Sequence, residues 1–434
     1  MNREQLSSSV SRRAFVKTAA AATAGLSAGL MASGNFAYAA PEETLRVGLV
    51  GAGGRGVGAA ADAVRSSDGV VVVAVGDLFQ DRLDEARGKL REELGDAYQA
   101  GPENEFTGWE AYRHVIDSGV DYIILATPPV FRPIHLAYAV EKGRHVFMEK
   151  PIAVDPVGVR AVIAASDAAQ QKGLGIVAGT QRRHDPRYVE AMRRIHEGAI
   201  GEVLSAQVYW NQGELWHVER TAGMSDVEWH LRNWLYFTYL SGDHIVEQHV
   251  HNIDVANWAL QAHPVKATAV GGRQARVAPH YGHIYDHFAV DFEYPNGARV
   301  MSMCRQQEGT AAYVGEQIIG STGMSNGHSW IRGESPWRWE GEAVNPYVAE
   351  HTDLISSIRS GNPLNEGRQV AESVLTSIMG REAAYTGQEI TWDEIMNSNL
   401  DLSPRAWEFG HMPTPPVPVP GITKLERTLL AEVG

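Results

Sequence analysis

The sequence has one cysteine and fewer basic than acidic residues. Cys304 lies in the apolar run 300–304, so we expect it to be a buried strand residue, and a single cysteine excludes both an internal disulfide and a multi-thiolate metal site. The 434 residues carry 52 acidic and 38 basic side chains, a net charge of −14, which argues against nucleic acid as a partner. Hydrophobic residues make up 44% and charged residues 21%, the balance of a globular protein with more than one domain.

The first forty residues resemble an export signal. Residues 11–17 read SRRAFVK, which is typical of a twin-arginine signal. The Ala-, Gly- and Leu-rich stretch that ends near Met31 is too short and too weakly apolar for a stable membrane anchor. Ala37-Tyr38-Ala39 fits a signal peptidase site. We therefore predict a signal peptide over residues 1–39 and a periplasmic or secreted mature chain; a surface helix with two chance arginines is the alternative.

Strands and helices alternate through the first half of the mature chain. Strands are predicted at 44–50, 70–75, 122–126, 145–148 and 174–178, with helices between them that end near residues 65, 94, 116, 141 and 171. This order is typical of βαβ units and a parallel sheet. The fold class is therefore α/β, with an N-terminal Rossmann doubly wound sheet over residues 43–170.

The pattern changes after about residue 200. Strands are predicted at 203–210, 265–271, 285–294, 299–305 and 317–320, and helices at 244–260, 348–359 and 369–385. This indicates a C-terminal α+β domain, residues 171–395, with an open, mostly antiparallel sheet. Residues 396–434 include the run MPTPPVPVP, which excludes a helix and predicts an extended arm on its own domain or on a neighbouring subunit.

A glycine-rich loop follows the first strand and opens a helix. Its sequence fits G-x-G-x-x-G and consists of Gly51, Ala52, Gly53, Gly54, Arg55 and Gly56. Such a loop brings the backbone and a helix N-terminus close to a dinucleotide pyrophosphate. Asp77 ends the second strand, where a carboxylate accepts both ribose hydroxyls and repels a 2′-phosphate. We predict NAD rather than NADP as cofactor; a plain glycine turn with a capping Asp is the alternative.

Five further motifs carry a family resemblance. They are Ala126-Thr127-Pro128-Pro129 followed by His135, Glu149-Lys150-Pro151, Gly179-Thr180-Gln181-Arg182-Arg183-His184, Gly242 to Asp254, and Gly380 to Gly387. Together they resemble the glucose–fructose oxidoreductase, inositol 2-dehydrogenase and rhizopine-catabolism (Gfo/Idh/MocA) family from about Leu45 to Trp392.

The resemblance implies an oxidoreductase acting on hydroxyl or carbonyl carbons of sugars and cyclitols. It implies a homo-oligomer, a dimer or tetramer, formed through the exposed face of the second sheet. It also implies further cofactor contacts from Thr127, Pro128, His135, Glu149, Lys150 and Gln181.

Alcohol oxidation needs a base and a group that stabilises the developing oxyanion. Lys150 matches the family's lysine at the end of the Rossmann sheet, and His251 matches its histidine in the second domain. Glu247 lies four residues before His251, on the same helix face, where the family commonly has Asp. We expect these three residues to be catalytic and His249, which points away from His251, to be a packing or surface residue.

Other polar and aromatic residues are candidates for substrate binding. Arg182, His184, Trp216, His217 and Tyr285 are the predicted contacts with a sugar or glycoside. A domain-hinge salt bridge is the alternative for the arginine, and a plain core for the aromatic cluster.

No ligand spacing predicts a metal site. Glu247, His251, His217 and His280 could meet in space, but the sequence contains no His-Glu-x-x-His or comparable pattern, so we predict no metal.

Three functions remain open at this point. The first is a sugar oxidoreductase with tightly held NAD(H), in which one substrate is oxidised and a second is reduced. The second is an NAD-dependent glycoside hydrolase or lyase that works through a transient keto-sugar. The third is a non-catalytic binding protein that kept the fold.

Overall fold

The computed structural model describes residues 44–404 and 406–428. The predicted signal peptide and its cleavage site lie outside these residues. Within the described part of the chain, no helix is both long and apolar enough to cross a bilayer.

The first sheet has six parallel strands in the order β3-β2-β1-β4-β5-β6. The strands are β1 Leu45–Val50, β2 Val70–Asp77, β3 Glu105–Thr107, β4 Tyr122–Leu125, β5 His145–Met148 and β6 Ile176–Ala178. This is the strand order of the doubly wound dinucleotide-binding fold, so the predicted fold class is confirmed.

Helices cover both faces of the first sheet. They are α1 Gly54–Ser66, α2 Gln80–Leu94, α3 Ala111–Asp117, α4 Arg132–Glu141 and α5 Pro156–Gln171. Helices α1 and α2 pack on the face of Ile124 and Phe147, while α3, α4 and α5 pack on the face of Ile123 and Val146. Because both faces are covered, the strands are apolar throughout rather than alternating.

The second sheet has nine strands in the order β14-β13-β12-β11-β7-β10-β9-β8-β15. The strands are β7 Val203–Gln212, β8 Lys266–Gly272, β9 His287–Glu293, β10 Arg299–Gln306, β11 Tyr313–Gly320, β12 Gly323–Ser325, β13 Trp330–Gly333, β14 Trp337–Arg338 and β15 Ile390–Thr391. All neighbours are antiparallel except β7 and β10. Cys304 is buried on β10, as predicted.

Helices of the second half pack on one face of this sheet and on the first sheet. They are α6 Pro186–His196, α7 Asp226–Arg232, α8 Thr238–Ser241, α9 His244–Glu247, α10 Val250–Leu260, α11 Pro346–Arg359, α12 Gly367–Thr386 and α13 Trp392–Asn397. The sequence patterns did not predict α6, although Asp185 caps it and Pro186 opens it. Helix α12 ends at Gly387 in the left-handed conformation, as expected.

The single helix predicted over residues 244–260 is wrong, because the chain forms α9 and α10 with a break between them. At the break, the amide of His251 donates to the carbonyl of Gln248 instead of Glu247. The freed carbonyl of Glu247 accepts a hydrogen bond from Lys150 Nζ at 2.5 Å. A side chain inserted into the helix ladder in this way is a recognised cause of a kink.

The C-terminal arm lies on its own chain. The hydroxyl of Tyr285 donates to the carbonyl of Pro418, and the guanidinium of Arg427 donates to the buried carboxylate of Glu382. Within the described residues, the arm therefore contacts its own chain.

The fully buried Arg381 on α12 generates a stability prediction. Its guanidinium donates to the carbonyls of Val154 and Gly242 and to the carboxylate of Glu382. Arg381→Met removes this donor from the carbonyls of Val154 and Gly242 and leaves Glu382 paired with Arg427. We therefore expect a loss of about 3–5 kcal/mol in the free energy of unfolding, measured by urea titration.

The matched control is Arg368→Met on the same helix. Arg368 pairs with Asp167 at the surface, with its side chain 54% exposed, and its loss costs below about 1 kcal/mol. If the two variants unfold at the same urea concentration, the buried network does not hold the second half together.

Candidate functional site

A cleft of about 600 Å³ opens at the carboxyl ends of β1, β2 and β4. Most of the predicted cofactor residues line it, namely Gly51, Gly53, Gly54, Arg55, Gly56, Asp77, Thr127, Pro128 and His135. This position, outside the carboxyl ends of parallel strands, is where doubly wound sheets bind their ligands. Glu149, Lys150 and Gln181, also predicted as cofactor contacts, are not among its lining residues.

The glycine loop fits a dinucleotide phosphate group. Gly51 has a φ of +97°, which favours glycine, and a Cβ on Gly56 would lie 1.9 Å from the carbonyl oxygen of Gly51. No atoms lie within 4 Å of a Cβ added at Gly53 or Gly54, so the loop is open on the cleft side. The N-cap of α1 is Gly53, and no side-chain cap hydrogen bond is present there within the described residues.

Asp77 holds the glycine loop as well as lining the cleft. One carboxylate oxygen accepts from the amide of Ala52 at 2.7 Å, and the other accepts from the amide of Phe79 at 2.9 Å. Burial raises the pKa of Asp77, and the two backbone donors oppose this rise. The carboxylate keeps lone pairs for a diol, in agreement with the role predicted from its position.

Aromatic residues form the far wall of the cleft. Phe79, Trp109, Tyr112 and Phe131 line it, and the ring of His135 stacks on Tyr112 with centroids 4.2 Å apart. Burial, followed by the charge of Arg132, lowers the pKa of His135 to about 3, so this ring is neutral. Of the residues in this wall, only His135 was predicted from the sequence. The others were not predicted because β3, which positions Trp109, is only three residues long.

Residues from the second half of the chain cover this wall. Trp216 and His217, both predicted to bind substrate, line the cleft together with Arg232. From the arm, Trp407 packs against Phe131 with centroids 4.4 Å apart, and Phe409 packs against Trp109 at 5.1 Å. The cleft is thus bounded by segments that are distant in sequence.

Lys150 and Glu247 meet where the two halves of the chain join. Lys150 Nζ donates to the carbonyl of Glu247 and lies 3.1 Å from Oε1 of its carboxylate. Both side chains are nearly buried, and Oε2 of Glu247 has no partner. A lysine from the first half of the chain thus contacts a carboxylate from the second.

His251 is buried beside this pair. Its ring stacks on Trp210 with centroids 5.7 Å apart, and its Nδ1 has no hydrogen-bond partner. Burial, followed by the charges of Lys150 and Arg182, lowers the pKa of His251 well below 6.5. The imidazole is therefore neutral at neutral pH and able to accept a proton. His249 is buried and bonds Ser302, which agrees with a packing role.

Glu149, which precedes Lys150 in sequence, links this part of the site to the glycine loop. Arg55, which lines the cleft, forms ion pairs with Glu149 and with the buried Glu350 of α11. Burial and the nearby charge of Glu149 raise the pKa of Glu350 well above its ordinary value. Glu350 was not predicted, because its partners lie about 200 and 300 residues earlier in the chain.

The remaining predicted substrate and cofactor residues have mixed outcomes. Gln181 donates to the hydroxyl of Tyr347, and its Oε1 is buried without a partner. Arg182 pairs with the buried Glu316 and lies over the ring of Trp210. The hinge-type salt bridge considered as an alternative is therefore present at Arg182.

The structure corrects two predicted substrate contacts. His184 is buried with Nδ1 2.6 Å from Asp353 and Nε2 3.3 Å from Glu366; burial opposes its charge, but these carboxylates outweigh it and raise the pKa of His184 to about 9. Tyr285 is buried, and its hydroxyl bonds the arm. Both residues serve structural contacts instead.

Comparison with known proteins identifies the family. Residues 45–177 match the model of an oxidoreductase family with an NAD-binding Rossmann fold, and residues 188–325 match the model of the GFO/IDH/MocA C-terminal domain. The chain belongs to the GFO/IDH/MocA family.

Two curated relatives of this family member are inositol dehydrogenases. The scyllo-inositol 2-dehydrogenase (NAD(+)) of Bacillus subtilis is 27% identical over 53% of this chain and 57% of its own length. Inositol 2-dehydrogenase 4 of Saccharopolyspora erythraea is 36% identical over 37% of this chain and 43% of its own length. The chain thus spans about half the length of these relatives.

A solved structure shows the same fold. The scyllo-inositol dehydrogenase of Lactobacillus casei with bound NAD(H) and scyllo-inositol matches 80% of this chain and 99% of its own, with a TM-score of 0.60 and 19% identity.

The glycine loop leads to the second testable prediction. Gly56→Ala places a methyl group against the Gly51 carbonyl, which must shift, so we expect NAD⁺ binding to weaken at least tenfold and the free energy of unfolding to fall by about 1–3 kcal/mol. Isothermal titration calorimetry and urea unfolding measure the two effects.

Gly88→Ala is the control on the neighbouring helix α2. A Cβ there meets no atom within 4 Å, so the variant gains about 0.5–1 kcal/mol of stability and binds NAD⁺ as before. An unchanged NAD⁺ affinity in Gly56→Ala contradicts the assignment of the glycine loop.

Proposed function

We propose that the protein is an NAD-dependent oxidoreductase acting on a CH–OH carbon of a cyclitol or sugar. The observation that carries this proposal is the contact of Lys150 with Glu247 near His251, with buried atoms on Glu247 and His251 that lack partners within the described residues. Glu149, next to Lys150 in sequence, pairs with Arg55 of the cleft. The names of the curated relatives support the same reaction class.

The cleft residues fit the cofactor. The glycine loop would hold the pyrophosphate, Asp77 the adenosine ribose, and Thr127 and Pro128 the segment towards Lys150. Bound nicotinamide supplies the hydride acceptor or donor. The carboxylate of Asp77 at the ribose end favours NAD over NADP, although Arg82 lines the same end of the cleft.

We assign proton transfer to His251. Because its imidazole is neutral and Nδ1 is free, it can take the proton of a substrate hydroxyl during oxidation and return it during reduction. The ammonium of Lys150 stabilises the oxygen that loses this proton. Oε2 of Glu247 accepts a neighbouring hydroxyl, so the longer carboxylate side chain contributes to substrate orientation.

Unpartnered buried atoms near this site favour a polyhydroxylated substrate. Besides Glu247 and His251, the unpartnered atoms include Oγ1 of Thr180, Oε1 of Gln181 and Oδ1 of Asn211, which follows Trp210 on β7. Buried polar atoms without partners cost free energy, and hydroxyl groups of a ligand would remove that cost. A sugar or cyclitol presents several hydroxyls on a compact ring.

Export and a tightly held cofactor belong together in this proposal. The SRRAFVK motif at residues 11–17 supports export by the twin-arginine route to the periplasm or beyond. Free nicotinamide cofactor is scarce there, so a cofactor loaded before export would be recycled by oxidising one substrate and reducing another. The cover formed by Trp216, Arg232, Trp407 and Phe409 supports slow cofactor release.

The test uses the purified mature protein with NAD⁺, cyclitols, free sugars and glycosides. Lys150→Met and His251→Gln each lower kcat at least a hundredfold while NAD⁺ still binds. The acid limb of kcat/KM for the wild type lies well below pH 6.5, because the proton acceptor has a lowered pKa, and His251→Gln abolishes that limb.

Lys89→Met, at an exposed lysine on α2, is the matched control and retains full activity. Full activity in Lys150→Met would overturn the proposal. Release of an aglycone with no net change in the cofactor's redox state would instead favour the glycoside hydrolase or lyase.

We also propose that the chain forms a homo-oligomer through the outer face of the second sheet. The register places Val270, Ala289, Met303, Tyr209 and Gly315 in one row across five strands. Val270 is 71% exposed and Met303 46% exposed. A second copy of this chain would cover this unusually apolar row.

Charged residues in the row should prevent association. The double variant Val270→Lys/Met303→Lys is expected to sediment as a monomer, because each copy would bury two unpaired ammonium groups. Ile422→Lys, at an equally exposed site on the arm, keeps the oligomer. A wild-type monomer in sedimentation velocity would contradict the proposed interface.

A further inference from the structure

Three side chains with metal-binding atoms meet outside the reacting pair. Glu214 and His217 lie in the segment after β7, and His280 lies in a 3₁₀ turn, Pro279–Tyr281. One ligand atom from each of the three lies within 4.8 Å of the others. The two imidazole rings stack with centroids 4.3 Å apart and planes 12° apart, so one ring must turn before both can direct a nitrogen at the same ion.

One ring nitrogen of each histidine lies close to Glu219, and the other does not. Nε2 of His217 bonds Oε1 of Glu219 at 3.2 Å, and Nδ1 of His280 lies 3.4 Å from the same oxygen. Nδ1 of His217 lies 3.4 Å from Oε1 of Glu214. Glu219 thus holds one nitrogen of each ring and leaves the other nitrogen of each available.

One of these distances, 3.4 Å between Nδ1 of His217 and Oε1 of Glu214, matches a metal centre. Bonds of about 2.0–2.1 Å to a tetrahedral zinc ion place neighbouring ligand atoms about 3.3 Å apart. Metal-binding histidines commonly donate their second N–H group to a carboxylate, which is the position of Glu219. The hydroxyl of Tyr281 donates to the carboxylate of Glu214.

The two segments are held in place by core residues. Asn233 is fully buried; its Oδ1 accepts from the amide of Val218 at 2.9 Å, and its Nδ2 donates to the carbonyl of His280 at 2.6 Å. The hydroxyl of Tyr236 donates to the carbonyls of Leu215 and Trp216. The cluster is therefore built on rigid supports from both sides.

We propose that Glu214, His217 and His280 bind one divalent transition-metal ion of the zinc type, with Glu219 orienting the two imidazoles. Two imidazole nitrogens and one carboxylate suit Zn²⁺ and leave one position for water. This departs from the metal-free expectation from sequence. His217 and His280 do meet, as considered there, but with Glu214 in place of Glu247 and His251.

The ion would fasten one wall of the cleft. His217 and its neighbours Trp216 and Val218 line the cleft. An ion bound to both His217 and His280 would therefore link this segment to the turn at Pro279–Tyr281. The role is structural, and it does not depend on the proposed redox reaction.

The test measures metal binding by the mature protein. After treatment with a chelator and dialysis, Zn²⁺ is titrated by calorimetry, and Co²⁺ is added as a spectroscopic probe of coordination. We expect one Zn²⁺ per chain with micromolar or tighter affinity and a tetrahedral Co²⁺ spectrum. Glu214→Gln/His280→Ala weakens binding at least a hundredfold, and Glu219→Gln weakens it about 10–100-fold.

His411→Ala is the matched control. His411 is an exposed imidazole 2.6 Å from Asp226, and this variant binds Zn²⁺ as the wild type does. The ligands are partly exposed, and circular dichroism verifies that the variants fold. Absence of Zn²⁺ binding to the wild type, or equal binding by the double variant, overturns the site.

Discussion

The buried ammonium of Lys150 is the constraint on which the reacting site depends. A charge in this position is costly unless it is paired and hydrogen-bonded. The carbonyl and the carboxylate of Glu247 both meet this need, and the carbonyl is available only because the helix breaks between α9 and α10. One contact therefore joins the two halves of the chain and sets where Glu247 and His251 lie.

The same burial gives His251 its chemistry. Burial and the nearby positive charges lower the pKa of the imidazole and so hold it in the neutral form. Its Nδ1 and the Oε2 of Glu247 lack partners within the described chain. Unpartnered polar atoms of this kind are tolerated where a ligand completes their hydrogen bonds. The free-energy cost of leaving them unpaired then applies only to the protein without its substrate.

Local features of the site could be predicted from sequence, and contacts between distant segments could not. The glycine loop and Asp77 follow directly from strand ends, because their roles depend on the local backbone. His184 and Tyr285 were placed at the substrate because the sequence does not show that Asp353, Glu366 and Pro418 reach them. The helix break could not be predicted for the same reason, because its cause, Lys150, lies about 100 residues earlier in the chain.

The cover over the cleft is held by several weak contacts. The ion pair between Arg232 and the exposed Asp81 is worth about 0–1 kcal/mol, and each aromatic contact of Trp407 or Phe409 about 0.5–1.5 kcal/mol. Each 1.4 kcal/mol changes an equilibrium tenfold, so together they reduce the open population by one to three orders of magnitude.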